Sequence, residues 1–211
     1  MLTDPLTAAI AEAEKLVATA PHIRTDQDLA EGYGYLAGGI AACAHAAWAH
    51  SSSHPVLITG TGPPYAKMGL DNPPDTLYWG AALRDDAEYV VTGRRGTTCD
   101  LSFQVLAGNY TDTNVPGNVT AFDDRAIRIE DDGTFEVRFG PGPADPARNY
   151  FTLARGSSQL VVREVYSDWS QRRGTIRIDR VDTLGTPPHP NRRSRTPPSA
   201  TNAPVARSFP G

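Results

Sequence analysis

The spacing of apolar residues changes once along this chain, at about Val56, and that change limits the fold more than any other feature. Before it, Leu6, Ile10, Ala13 and Val17 recur at helical steps after a Thr3-Asp4-Pro5 start, and Pro21 closes the run. Thr25-Asp26 opens a second helix in which Leu29, Tyr33, Leu36, Ile40, Cys43 and Ala47 share one face. Gly32, Gly34, Gly38 and Gly39 inside it each cost roughly 1 kcal/mol relative to alanine. Close packing on a neighbouring segment is expected to hold that helix together.

From Pro55 the period is two. Segments 56–59, 77–83, 88–92, 98–106, 126–130, 134–139, 150–154, 159–166 and 175–181 are short, apolar or alternating, and separated by turn residues. The clearest hairpin is AIRIEDDGTFEVRF, with Ile127 and Ile129 on one side, a tight turn at Asp132-Gly133, and Phe135, Val137 and Phe139 resuming the alternation. The expected fold is α+β and mainly β: two N-terminal helices packed on an antiparallel jelly-roll-like β-sandwich of about eight strands. The expected domains are a helical layer over 1–54, a sandwich over 55–182 and a tail over 183–211.

Charge divides the chain at a second place, near Leu184. Before Leu184 there are 24 acidic and 16 basic residues; after it there is no acid and Arg192, Arg193, Arg195 and Arg207. An acidic body argues against nucleic acid as a partner, because neutralising phosphates needs a basic face. The tail is rich in proline, serine and threonine, cannot bury enough surface to offset its conformational entropy, and is expected to be disordered. It reads either as a flexible segment or as a shifted reading frame of a GC-rich gene. The apolar content of 39% still provides for one core in 211 residues.

Met1 to Lys15 carries acids where an export signal needs bases, and no apolar run approaches the ~20 residues of a membrane span. The expected compartment is the cytoplasm. Cys43 and Cys99 fit neither a metal motif nor a disulfide framework and are expected as buried thiols. Asn109-Tyr-Thr111 and Asn118-Val-Thr120 read as turn residues.

Several blocks carry a family resemblance: GLDNPPDTLYWGAAL (69–83), EYVVTGRRGTTCDLSFQVLAG (88–108), IEDDGTFEV (129–137), and LVVREVYSDW (160–169) before TIRIDRV (175–181). In order and spacing they resemble the bacterial family known as domain of unknown function 1214, over roughly Leu57 to Val181. The stretch from Ala30 to Trp48 is similar to the helical leader of its shorter members. The resemblance implies a jelly-roll-like sandwich and carries over no catalytic residue. The second sandwich domain of some members has no counterpart here, and the sequence after Val181 departs from the pattern.

Candidate chemistry is confined to loops and strand ends. Asp71 and Asp75 read as turn caps beside Pro73-Pro74, or as a carboxylate pair with Tyr78 as a partner donor for acid/base catalysis. Tyr78, Trp79 and Trp169, with Arg95 and Asp168 as polar anchors, form a candidate small-molecule platform. The bland readings are a solvated Arg94-Arg95 hairpin tip, and Trp169 plugging the open end of the sandwich with Asp168 capping its turn. Gly60 to Lys67 lacks the ending of a phosphate loop, and Ala154 to Ser158 lacks the second glycine of a serine-hydrolase elbow. His50 and His54 have a zinc-like step but no third ligand, so neither metal nor cofactor is expected. The leading expectation is a small-molecule-binding or accessory domain, ahead of an enzyme and of a subunit-assembly module that pairs with its own copies.

Overall fold

The computed structural model describes residues 3–59, 75–108 and 113–187. Asp71, the 60–67 loop, the Asn109-Tyr-Thr111 site and the tail from 188 onward lie outside the described residues. Two helices, α1 (Asp4–Thr19) and α2 (Asp26–Ser51), precede nine strands. These are β1 (Ile58–Thr59), β2 (Thr76–Ala82), β3 (Tyr89–Arg94), β4 (Asp100–Ala107), β5 (Gly117–Asp123), β6 (Thr134–Gly140), β7 (Tyr150–Thr152), β8 (Ser157–Val165) and β9 (Thr175–Arg180). The class is α+β and mainly β.

The strands form a five-stranded sheet, β1-β2-β8-β4-β5, facing a four-stranded sheet, β7-β6-β3-β9. Pairing is antiparallel except between β6 and β7, which run parallel. The period-two pattern explains this layering, because alternate residues of each strand meet at the centre. Phe103, Val105, Leu160 and Val162 from one sheet and Val91, Val137 and Phe139 from the other are fully buried. Phe122 of the first sheet stacks on Phe151 of the second with ring centroids 3.6 Å apart. Each fully buried side chain of this size contributes about 1.5–3 kcal/mol.

Three expectations need correction. Segment 126–130 is not a strand: a 3-10 turn occupies Asp124–Ala126, and the hairpin's first arm keeps a single bridge, Ile129 to Phe135. The turn itself is present, with the Gly133 N–H donating to the Glu130 carbonyl at 2.8 Å and Gly133 at φ +86°. Strand β5, which contains Asn118-Val-Thr120, escapes the alternation test because it is an exposed edge with little apolar patterning. Both cysteines are exposed, Cys43 on the open side of α2 and Cys99 ahead of β4, where its thiol donates to the Val165 carbonyl at 3.2 Å.

The helices form an arm rather than a cover. A capping box starts α2: the Asp28 N–H donates to the Thr25 hydroxyl at 3.1 Å, and the Thr25 N–H to the Asp28 carboxylate at 2.9 Å. Helix α1 packs along α2, where Gly32 lets the Val17 side chain approach; a β-carbon there would lie 2.6 Å from it. Helix α2 reaches the sandwich at its C-terminal end, against β1 and β2, and Ala49 is its buried residue. Leu29, Leu36 and Ile40 are half-buried as the helical pattern predicts, whereas Tyr33, Cys43 and Ala47 on the same stripe are exposed.

Candidate functional site

One end of the sandwich holds a buried charge cluster. The corner after β3 is pressed against the segment before β9, so close that a β-carbon on Gly96 would lie 2.1 Å from the Arg172 carbonyl oxygen. Thr97 and Arg172 clamp this contact: the Thr97 N–H donates to the Arg172 carbonyl, and the Arg172 N–H to the Thr97 hydroxyl, each at 2.8 Å. The corner turns Arg95 inward. Its Nε donates to Asp124 at 2.7 Å, its Nη1 to the Thr98 hydroxyl at 2.6 Å, and its Nη2 to the Thr98 carbonyl at 2.7 Å.

Behind Arg95 lies Glu164, 2% exposed, at an inward position of β8. Its Oε1 accepts from the Thr98 hydroxyl at 3.0 Å and from the Gly174 N–H at 2.6 Å, and sits 4.0 Å from Arg95 Nη1. The adjoining gap, walled by Trp79, Leu101, Phe135 and Ile176, has room for no more than about one water. A buried carboxylate needs this satisfaction, since breaking one partner of such a pair strands a charge. The cluster welds two loops to β8, and Arg95 spends its donors on its own chain.

The sequence-derived residues distribute around this end without forming one platform. Trp79 lines the inner gap, and Arg95 is buried rather than solvated. Trp169 is 64% exposed and lies flat on Tyr166, with ring centroids 5.0 Å apart, so it does not plug the sandwich. Asp168 accepts from the Ser170 N–H at 2.7 Å, and hydrogen bonding from the Ser170 side chain, then from its backbone, holds the Asp168 carboxyl below the usual range. Asp75 is exposed at the start of β2, its carbonyl taking the Tyr166 N–H at 2.8 Å. Tyr78 pairs in register with Arg163 on the outer face of the same sheet, with the guanidinium 5.4 Å from its ring centre.

The opposite end, where α2 meets the sandwich, is built differently. Helix α2 stops at Ser52, and the chain is pinned there by His54, whose Nε2 lies 3.0 Å from the Thr186 carbonyl. Between that corner and the ends of β2, β3 and β9 opens a pocket of about 120 Å³. Ala49, Pro55, Ala82 and Leu83 form its apolar wall, and His50, Arg84, Tyr89 and Arg180 bring polar groups to it.

The polar groups here keep unused capacity. Arg84 gives Nε and Nη2 to Asp86 at 2.9 and 2.6 Å, and Arg180 makes the same two-pronged contact with Asp182. Neither Nη1 has an acceptor among the described residues. The hydrogen bond from Arg84 holds the Asp86 carboxyl low, and Arg180 adds to that effect, so the two ion pairs sense one another. Tyr89 accepts the Arg84 backbone N–H at 2.8 Å, and its own proton has no acceptor among the described residues. Burial pushes its hydroxyl up, keeping it a neutral donor. The sequence reading passed over Arg84 and Arg180, whose only signal was an arginine at the end of a predicted strand.

A third concavity is the open groove between α1 and α2, lined by Leu16, Val17, Ile23 and Tyr35 with Asp28 and Glu31 at its side. Leu6, Leu16, Tyr35 and Trp48 of these helices are each more than half exposed.

No protein-family model matches the chain, and no curated protein matches it. Among solved structures it is similar to the crystal structure of an uncharacterized protein from Burkholderia cenocepacia, at 25% identity and a TM-score of 0.74. That likeness covers 89% of this chain and 54% of the Burkholderia protein, so this chain spans about half the length of that relative. A match to the VPA0106 protein from Vibrio parahaemolyticus has 15% identity, a TM-score of 0.37, and covers 58% of this chain and 34% of that one. No helix among the described residues is long and apolar enough to cross a membrane.

Proposed function

We propose that this chain is a small-molecule-binding domain of the domain of unknown function 1214 type, and that its ligand enters the pocket at the helix–sheet seam. One observation carries the reading. Three side chains with spare donors, Arg84, Arg180 and Tyr89, converge on one open pocket with an apolar wall. That combination of a greasy wall and a few oriented polar groups is what a ligand site requires. At the other end of the sandwich the donors are consumed internally and the gap is too small for a ligand. The cytoplasmic compartment expected from the sequence belongs to the same proposal.

The test is a thermal-shift screen of the full chain against a broad small-molecule panel, repeated on Ala82→Leu, which fills the pocket from its β2 wall. Compounds that raise the melting temperature of the parent should lose that effect in the variant. A screen without hits, or hits that survive Ala82→Leu unchanged, refutes the reading.

A second reading, self-assembly through the helical arm, is favoured by the exposure of Leu6, Leu16, Tyr35 and Trp48. It expects a solution mass above that of the monomer. A single species of 22.7 kDa would dismiss it.

A further inference from the structure

The chemistry of the seam pocket narrows what it can hold. Its lining carries two guanidiniums, each paired with an aspartate that lies outside that lining, so the site as built has no reason to gather a cation. The carboxylates, however, are the more exposed partners: Asp86 and Asp182 are 62% and 67% exposed, against 52% for Arg84 and 14% for Arg180. The Arg84–Asp86 pair is exposed on both sides and only weakly held, and the exposed Asp182 can turn to water and release Arg180. Arg180 cannot leave so freely, because it is held down among the strand ends, and the backbone of Arg84 is tied through its N–H to the Tyr89 hydroxyl.

We infer that the seam pocket takes a small organic acid, a single carboxylate on a short apolar body. The carboxylate sits between Arg84 and Arg180, and the body lies on Ala49, Pro55, Ala82 and Leu83. This deepens the proposed function and rests on it. Three features favour a monoanionic carboxylate over a phosphate. The planar guanidinium fork matches a planar two-oxygen acceptor. Tyr89, neutral and with a proton that has no acceptor among the described residues, adds one more donor to the same oxygen pair. A dianion would be repelled more strongly by Asp86 and Asp182, which pair with the two arginines, in a chain that already carries a net charge of −4. Asp86 and Asp182 then act as internal stand-ins, keeping both forks extended until a ligand carboxylate arrives.

The inference fixes the direction of four substitutions. Arg84→Gln removes one charged fork from an exposed position and should weaken carboxylate binding by about tenfold or more, as the loss of a charge-assisted hydrogen bond predicts. Tyr89→Phe should weaken it by a smaller factor. Asp86→Asn and Asp182→Asn remove the competing carboxylates and should strengthen binding several-fold, which a merely structural pair would not do.

The experiment is isothermal titration of the full chain with butanoate, pentanoate and benzoate, alongside the matched neutral amides and inorganic phosphate. Saturable carboxylate binding that is weakened in Arg84→Gln, tightened in Asp86→Asn and abolished in Ala82→Leu supports the inference. Equal binding of acids and amides, lost in Ala82→Leu, overturns the carboxylate assignment while leaving the pocket standing. Phosphate binding in preference to the acids overturns it as well. Failure of every probe, or binding untouched by Ala82→Leu, overturns both the assignment and the pocket. Each variant is first checked for the parent's circular dichroism, and Arg84→Lys gives a second, charge-retaining version should Arg84→Gln fail to fold.

Discussion

Asn149 stands where the period-two pattern promised a strand pair and did not deliver one, and its replacement tests how that gap is closed. It is 6% exposed and sits in the left-handed region, φ +48°. Its side-chain amide donates to the Arg128 carbonyl at 3.0 Å and to the Glu136 carbonyl at 2.9 Å, while its Oδ1 accepts the Arg128 N–H at 2.8 Å. One side chain thus bonds the backbone of the 127–130 arm to β6, as a neighbouring strand would. Asn149→Ala deletes three hydrogen bonds, at roughly 1 kcal/mol each net, and puts alanine, which lacks the tolerance of asparagine for the left-handed region, at that backbone position, at roughly 1 kcal/mol more. The sum is about 4 kcal/mol, or a fall in melting temperature of about 10 °C for a chain of this size. Asn149→Gly deletes the same bonds and keeps the backbone comfortable, so it should be the milder change by about 1 kcal/mol. Urea unfolding followed by tryptophan fluorescence measures both. A loss below about 1 kcal/mol for Asn149→Ala, or glycine worse than alanine, would refute the reasoning.

The buried pair gives a second prediction: Glu164→Ala should cost about 3–5 kcal/mol, and Glu164→Gln, which keeps an acceptor for Thr98 and Gly174, markedly less, both read by urea unfolding. Gly93→Ala should cost at least about 1–3 kcal/mol, because its β-carbon would lie 2.3 Å from the Thr175 carbonyl oxygen and 2.5 Å from the Phe135 ring. Tyr89 sets an alkaline limit. Its folded-state pKa lies above the unfolded value of 10.0, so the stability it contributes is intact below that pH and is lost as pH rises toward the folded value. Tyr89→Phe should flatten the loss of stability above pH 10 in urea titrations; an unchanged slope would contradict the assignment.

How much of this was legible in the sequence depends on how local the cause is. The helices and most strands were, because spacing within a few residues decides which face meets the core, and the Asp132-Gly133 turn was, because only the left-handed glycine suits it. The 127–130 arm was not, since the residue that replaces its ladder is twenty positions away in an unremarkable loop. Strand β5 was missed because an edge facing water needs no apolar alternation. Glu164 carried a signal that was not weighed: a carboxylate in the inward phase of a strand otherwise filled by Leu160 and Val162 implies a buried partner. Arg84 and Arg180 meet only because β2 and β9 end at the same level of the two sheets, a relation no local pattern records.

The arm formed by α1 and α2 has a calorimetric consequence. It touches the sandwich through the last turns of α2, α1 has no buried residue, and helices without a packed apolar face are marginal in water. Its amides should therefore exchange with solvent by openings that leave the sheets intact, and heat should melt it before them. The cooperative transition of this chain then belongs to the sandwich, with a calorimetric enthalpy smaller than its full length would give.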